Sequence, residues 1–374
     1  MVSGRKTLHG SQGSSRCLGA VSGFLLKLVR ESAGLTQVRL AELIDVDVAS
    51  VQGWESGRRP LTALRTADLV RLRSRLLREG ARSTLLAMLD DAIQADLIIA
   101  QMVQAGGRLI EVRGHPLGEI VHQCRLSDLI TWPFTGIAPP ALQGLVSVRA
   151  RRGPVPDRPA LAEDDQLRFF DHLLMTADAN SDEDTSLPRR QAIYLLGLDS
   201  RTSTAEWLHA ELPRALRHAG STDHVPSWVN VRSSAVALAY DGDREPLRAF
   251  LARTVATDRL EQANLNYWAY WVGEIDGIQG DDEFMVRVDP RDWSGVRLLG
   301  HLLERLYPGA GNAELDLHTV WALLLVHPVL LGDHPGVRSA AANMVEKLAE
   351  DRDLCARARR ELSDVAYAVR LAHR

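Results

Sequence analysis

The chain has 374 residues, 45% hydrophobic and 25% charged, with a formal net charge of −4 and three cysteines. This composition gives enough apolar side chain for a real core in two or three folded units. It excludes a membrane-spanning chain, because the longest apolar run (Val320 to Val326) is far short of the roughly 20 residues a bilayer helix needs, and a disulfide scaffold, because Cys17, Cys124 and Cys355 are scattered and odd in number.

In chain order, residues 1–22 are rich in Gly and Ser and read as a mobile tail. Arg5, Lys6 and Arg16 are not followed by an apolar leader before Cys17, so a cytoplasmic location is expected. Residues 23–80 read as a compact helical unit. Thirteen Lys/Arg face seven Asp/Glu over residues 1–80, against 31 and 41 in the remainder, a basic head on an acidic body. That asymmetry suits a nucleic-acid-facing head and a body that DNA repels.

Residues 81–148 read as a helical connector. Leu85, Leu86, Leu89, Ile93, Leu97, Ala100 and Val103 mark one long helix from Ser83, broken at Gly106-Gly107. Its stripe would serve either to pack on its own connector or to dimerise. Arg108–Arg113 and Glu119–Cys124 read as a small β-hairpin around Gly114–Gly118, and a short helix is expected from Ser127 to before Pro139-Pro140. A Pro- and Arg-rich linker spans 149–163. Residues 164–374 are helical almost throughout, with punctuation that predicts nine or ten helices. The expected fold is mainly α, closing in a solenoid of TPR- or HEAT-like helix pairs.

The most informative segment lies in the head. Phe24, Leu25, Leu28 and Val29 form the apolar face of a helix that Gly34 ends. Thr36 caps a second helix, whose Leu40, Ala41 and Leu43 face inward. Asp45 stands where the chain must turn, and Asp tolerates the left-handed conformation. Val46 plugs that turn. Asp47 caps a third helix, anchored by Val51 and Trp54 and stopped by Gly57. Two short helices joined by a tight, plugged turn form a helix-turn-helix.

The Thr-Gln, Leu-Ala, Val, Val and Trp-Glu-x-Gly spacing over about residues 24–72 resembles the Cro/C1-type (Xre-like) regulators. Similar actinobacterial-looking regulators carry a large helical C-terminal region. The resemblance implies a third helix in the major groove and a phosphate at the second helix's N-terminus. Gln37 would clamp that phosphate, with Arg39 beside it. Val48, Ala49 and Gly53 would face bases, with Ser50 and Gln52 adjacent, and Asp47 at the helix start would lie where phosphates pass. Arg58 and Arg59 would grip the backbone, and Arg30 with Glu55 would form a buried structural pair. Val48, Ala49 and Gly53 offer no hydrogen bond to a base edge, so reading would rest on Ser50, Gln52, thymine methyls and DNA shape.

Other constellations carry less. His115, His122 and Cys124 match no zinc spacing and lack a fourth ligand, so no metal is expected. Asp276, Asp281, Asp282 and Glu283 read as a solvated acidic loop. Tyr267, Trp268, Tyr270 and Trp271 would line either a ligand or peptide groove or the core of a helix pair. No Walker loop, GxGxxG, HExxH or GxSxG is present, so neither enzyme activity nor a cofactor is expected. The expected function is a dimeric, sequence-specific, repressor-type regulator that binds operator DNA. Its helical body would sense a small-molecule, peptide or protein effector. The alternative is a protein-binding helical scaffold whose helix-turn-helix no longer reads DNA.

Overall fold

Apolar residues recurring every three to four positions produce nineteen α-helices and no strand among the described residues of the computed structural model. Those residues are 18–110, 114–121, 123–142, 157–179, 187–219, 224–254, 257–276, 279 and 281–372. They form two compact units. One draws on Met1–Gly106 and Arg125–Phe169, the other on Gly107–Cys124 and Phe170–Arg374.

The first unit opens with α1 (Ala20–Ser32), α2 (Gln37–Ile44) and α3 (Val48–Glu55), followed by α4 (Thr66–Arg78) and α5 (Ser83–Ala105). Residues 1–17 of the expected tail lie outside the described residues, and α1 already begins inside that tail. Ala20 and Val21 are buried there. Helix α1 packs on both α3 and α5. The stripe of α5 is consumed in this unit, with Leu85, Leu89, Ala92, Ile99 and Val103 buried. Packing is therefore the role it fills. Leu97, expected on that stripe, is exposed instead, and Gly106 ends the helix at φ +53°.

The expected hairpin does not form. Pro116–Ile120 is a short helix, α6, and Cys124 already opens α7 (Cys124–Thr135). His115 caps α6 by accepting from Leu117 N at 3.2 Å, and Pro116, with its fixed φ, starts the turn. The local capping signal outweighs a short alternation of apolar residues. Residues 111–113 and His122 of that expectation lie outside the described residues, as do residues 149–156 of the linker.

The second unit contains α8 in part (Glu163–Ala179) and then α9 (Leu187–Leu196), α10 (Thr202–Ala219), α11 (Val225–Tyr240), α12 (Glu245–Thr254), α13 (Asp258–Trp271), α14 (Phe284–Arg287), α15 (Val296–Arg305), α16 (Ala313–Val326), α17 (Leu330–Asp333), α18 (Pro335–Ala349) and α19 (Ala356–Leu371). Among the described residues, twelve helices stand where nine or ten are expected from 164 onward. Two of the twelve, α14 and α17, are single turns. Two helices are central. Helix α11 packs on α9, α10 and α12, while α16 packs on α13, α15 and α19. Both are buried on nearly every face, as helices apolar all round must be.

Central helices carry their few charged side chains into the interior, and most of these find partners. Glu314 of α16 accepts from Arg248 at 2.9 and 3.0 Å. His318 bridges Glu361 at 2.9 Å and Glu261 at 3.0 Å, which raises its pKa against the pull of burial. Asp282, expected in a solvated loop, is buried and holds Arg190 through two bonds of 2.7 and 2.8 Å. An interior guanidinium from another helix is what draws this one carboxylate out of the acidic loop.

Candidate nucleic-acid interface

Each joint of the head has a local cause. The Thr36 hydroxyl accepts from Arg39 N at 3.1 Å and starts α2. Asp45 ends α2 in the left-handed conformation, φ 58° and ψ 56°, and Val46 N returns to Ala41 O at 3.0 Å. Asp47 then caps α3, accepting from Ser50 N at 2.6 Å and from the Ser50 hydroxyl at 2.9 Å. These bonds favour the ionised form and hold the Asp47 carboxyl below its ordinary pKa.

Helix α1 crosses α3 at glycine. A Cβ on Gly23 would lie 2.1 Å from the Trp54 carbonyl oxygen, so no larger residue fits the crossing. The start of α1 is held from far along the chain. Val21 N and Ser22 N donate to the Asp96 carboxylate of α5 at 3.0 and 2.8 Å. Burial pushes the Asp96 carboxyl up to about 7, even against two donors that favour its charged form.

Arg30 and Glu55 meet in the interior. The guanidinium donates to Glu55 at 2.5 and 3.1 Å and to Leu35 O at 2.6 Å. The Glu55 side chain is fully buried. Gln37, half-buried, also joins this pair, since its Nε2 donates to Glu55 Oε2 at 2.7 Å. The amide expected on a phosphate thus helps neutralise a buried carboxylate. Arg39 is exposed and pairs with Glu42 at 3.1 Å.

On α3, Ala49 and Gln52 are exposed and Val48 is half-buried, with the exposed Asp47 at its start. Ser50 and Gly53 are buried. The Arg59 stem covers Gly53, where a Cβ would come within 2.9 Å of Arg59 Cδ, and its guanidinium donates to the Ser50 hydroxyl at 2.9 Å. Arg59 therefore lies along α3, while Arg58 stays beyond its end, donating to the Ser56 hydroxyl at 3.1 Å. Three positions expected at or beside the bases, Ser50, Gln52 and Gly53, thus divide into one open side chain and two that an arginine covers.

Sequence reasoning missed two features here. The signal for Asp96 is a lone acid between Ala95 and the apolar Leu97-Ile98-Ile99 of the long helix. The fold-back of Arg59 has none beyond Gly53 six residues earlier.

In the second unit, three of the four aromatics gather and one departs. The Tyr267 and Trp271 rings stack at 6.4 Å, and Trp268 meets Tyr267 edge-on at 6.1 Å. Tyr270 turns to Phe284 at 4.9 Å, and its hydroxyl accepts from Gln279 N. Trp268 is buried in one apolar cluster, while Tyr270 borders another. His115 is also buried, 3.3 Å from His172, and burial lowers its pKa to about 4. No group of three metal-ligating side chains occurs among the described residues.

A helix-turn-helix family model matches residues 26–65, the segment that spans α1 to the loop after α3. No curated protein and no solved structure matches the chain. No described helix is long and apolar enough to cross a membrane.

Proposed function

We propose that the chain is a sequence-specific DNA-binding regulator of the Xre-like kind, with α3 lying in the major groove. The observation that carries this reading is the exposed surface of α3. Gln52 and the overlying Arg59 make one polar, cationic face beside the exposed Ala49, in a segment matched by a helix-turn-helix family. Gln pairs bidentately with adenine and Arg with guanine, so this face has the base-reading donors that Val48, Ala49 and Gly53 lack. Arg58 and Arg39 flank it as phosphate contacts. Two copies acting on two-fold-related half-sites would set their reading helices about 34 Å apart. The helical second unit is the sensing or assembly region, and no catalytic role is assigned to it. Repression by operator occupancy in the cytoplasm is the expected mode.

The test is selection of genomic fragments by the purified protein at about 150 mM salt, where non-specific binding is weak. A palindromic or spaced-repeat motif that is lost on Gln52→Ala supports the reading. Sequence-blind retention, or none, assigns the head to protein binding.

A further inference from the structure

Helix α11 carries a buried charge with no hydrogen bond among the described residues. Arg232 is only 5% exposed, and among the described residues it makes no hydrogen bond and no ion pair. Its guanidinium carbon stands 4.4 Å from the Tyr267 ring centre and 5.0 Å from that of Trp268. A second guanidinium, Arg305 of α15, lies 5.9 Å from the Trp268 ring. Arg305 donates to the Tyr240 hydroxyl at 3.0 Å, and its Nε stands 3.6 Å from Asp316 Oδ2. Among the described residues of this cluster Asp316 is the carboxylate, and its attraction is divided between two guanidiniums, Arg305 and Arg232.

The surrounding polar atoms repeat the imbalance. Arg232 Nε, Arg305 Nε and Trp268 Nε1 are buried N–H donors without a hydrogen-bond acceptor, and Asp316 Oδ1 and His301 Nε2 are also unpaired. Burial keeps His301 neutral, lowering its pKa to about 4, so it adds no cation. Ring quadrupoles attract a guanidinium but accept few of its five N–H groups. A planar fork with unused donors matches a carboxylate. The ring faces of Tyr267 and Trp268, set edge-on to each other, supply apolar surface beside it. Tyr240, which accepts from Arg305, also lines a cleft of about 720 Å³ with Tyr307, Gly311 and Arg244.

We propose that Arg232 is the anchor of a binding site for a small organic monocarboxylate with a flat apolar body, held against Tyr267 and Trp268. One negative charge balances the cluster, and two or more would exceed it. The site does not depend on what the head binds.

The test is calorimetry and thermal melting of the full chain with four probes: benzoate, benzamide, acetate and inorganic phosphate. Benzoate should bind at one site per chain and raise Tm. Benzamide, the same shape without the charge, should bind at least about tenfold more weakly, the cost of a charge-assisted fork. Acetate, which lacks the ring, should also be weaker. Arg232→Met should abolish benzoate binding and raise Tm without ligand, because a buried unpaired charge is removed. Equal binding of benzoate and benzamide, or of neither, overturns the proposal. So does tighter binding of phosphate, or a variant that binds benzoate like the parent. The four-probe comparison uses the parent chain alone and decides the matter even if the variant does not fold.

Discussion

Arg59 reaches back along α3 to donate to the Ser50 hydroxyl at 2.9 Å, covering Gly53 on the way. This brings a side chain of the loop after the third helix onto the face proposed to read bases. Arg59→Ala should relax preference at one base position by about 1–3 kcal/mol, measured as affinity for single-base operator variants. Uniform weakening across all variants would instead make Arg59 a phosphate contact.

Arg58 provides the contrast. Arg58→Ala should weaken binding to every sequence equally and lower the slope of log K against log salt by about 1, read from a salt titration.

The Arg30–Glu55 pair is structural. Arg30→Met leaves a fully buried carboxylate with only the Gln37 amide, and should cost about 3–5 kcal/mol in denaturant unfolding. Adding Glu55→Met should recover part of that loss. A double variant no more stable than Arg30→Met would refute the account.

At the α1–α3 crossing, Gly23→Ala places a methyl group against the Trp54 carbonyl. The backbone cannot yield as a side chain would, so a loss of about 1–3 kcal/mol is expected. Gly53→Ala meets only the flexible Arg59 stem and should cost much less stability while impairing DNA reading. Thermal melts of the two variants make the comparison.

Stability should depend on pH through Asp96. Its folded-state pKa is raised to about 7 from an ordinary 3.8, so between those values the folded chain keeps a proton that the unfolded chain releases. This group's contribution is therefore greatest below about pH 4, falls as pH rises through the window, and is level above about 7. The Tm of the parent chain relative to Asp96→Asn should decline across that same window. A constant difference would mean that Asp96 stays ionised throughout.

The head is legible in the sequence because its determinants are local. Thr36, Asp45 and Asp47 act on backbone groups three or four positions away, and Gly34 and Gly57 act on their own dihedrals. The all-helical character of the body is legible for the same reason. What stays hidden depends on distant pairing. Asp96 meets Val21 across 75 residues and Asp282 meets Arg190 across 92. The bond from Gln37 to Glu55 is hidden too, because Glu55 reads in the sequence only as the partner of Arg30. The aromatic run of α13 is visible as composition, but the guanidinium against it comes from α11.

The hold of Asp96 on the start of α1 bears on how this head can be borrowed. A fragment cut after Gly80, just past the helix-turn-helix, would expose the side of the first helix that α5 covers and leave its leading amides bare. A transplanted head therefore needs α5, and Trp132 of α7, whose ring meets Phe24 at 5.3 Å, belongs to the same unit. A chimera that respects only the 26–65 match would inherit the motif without its keystone.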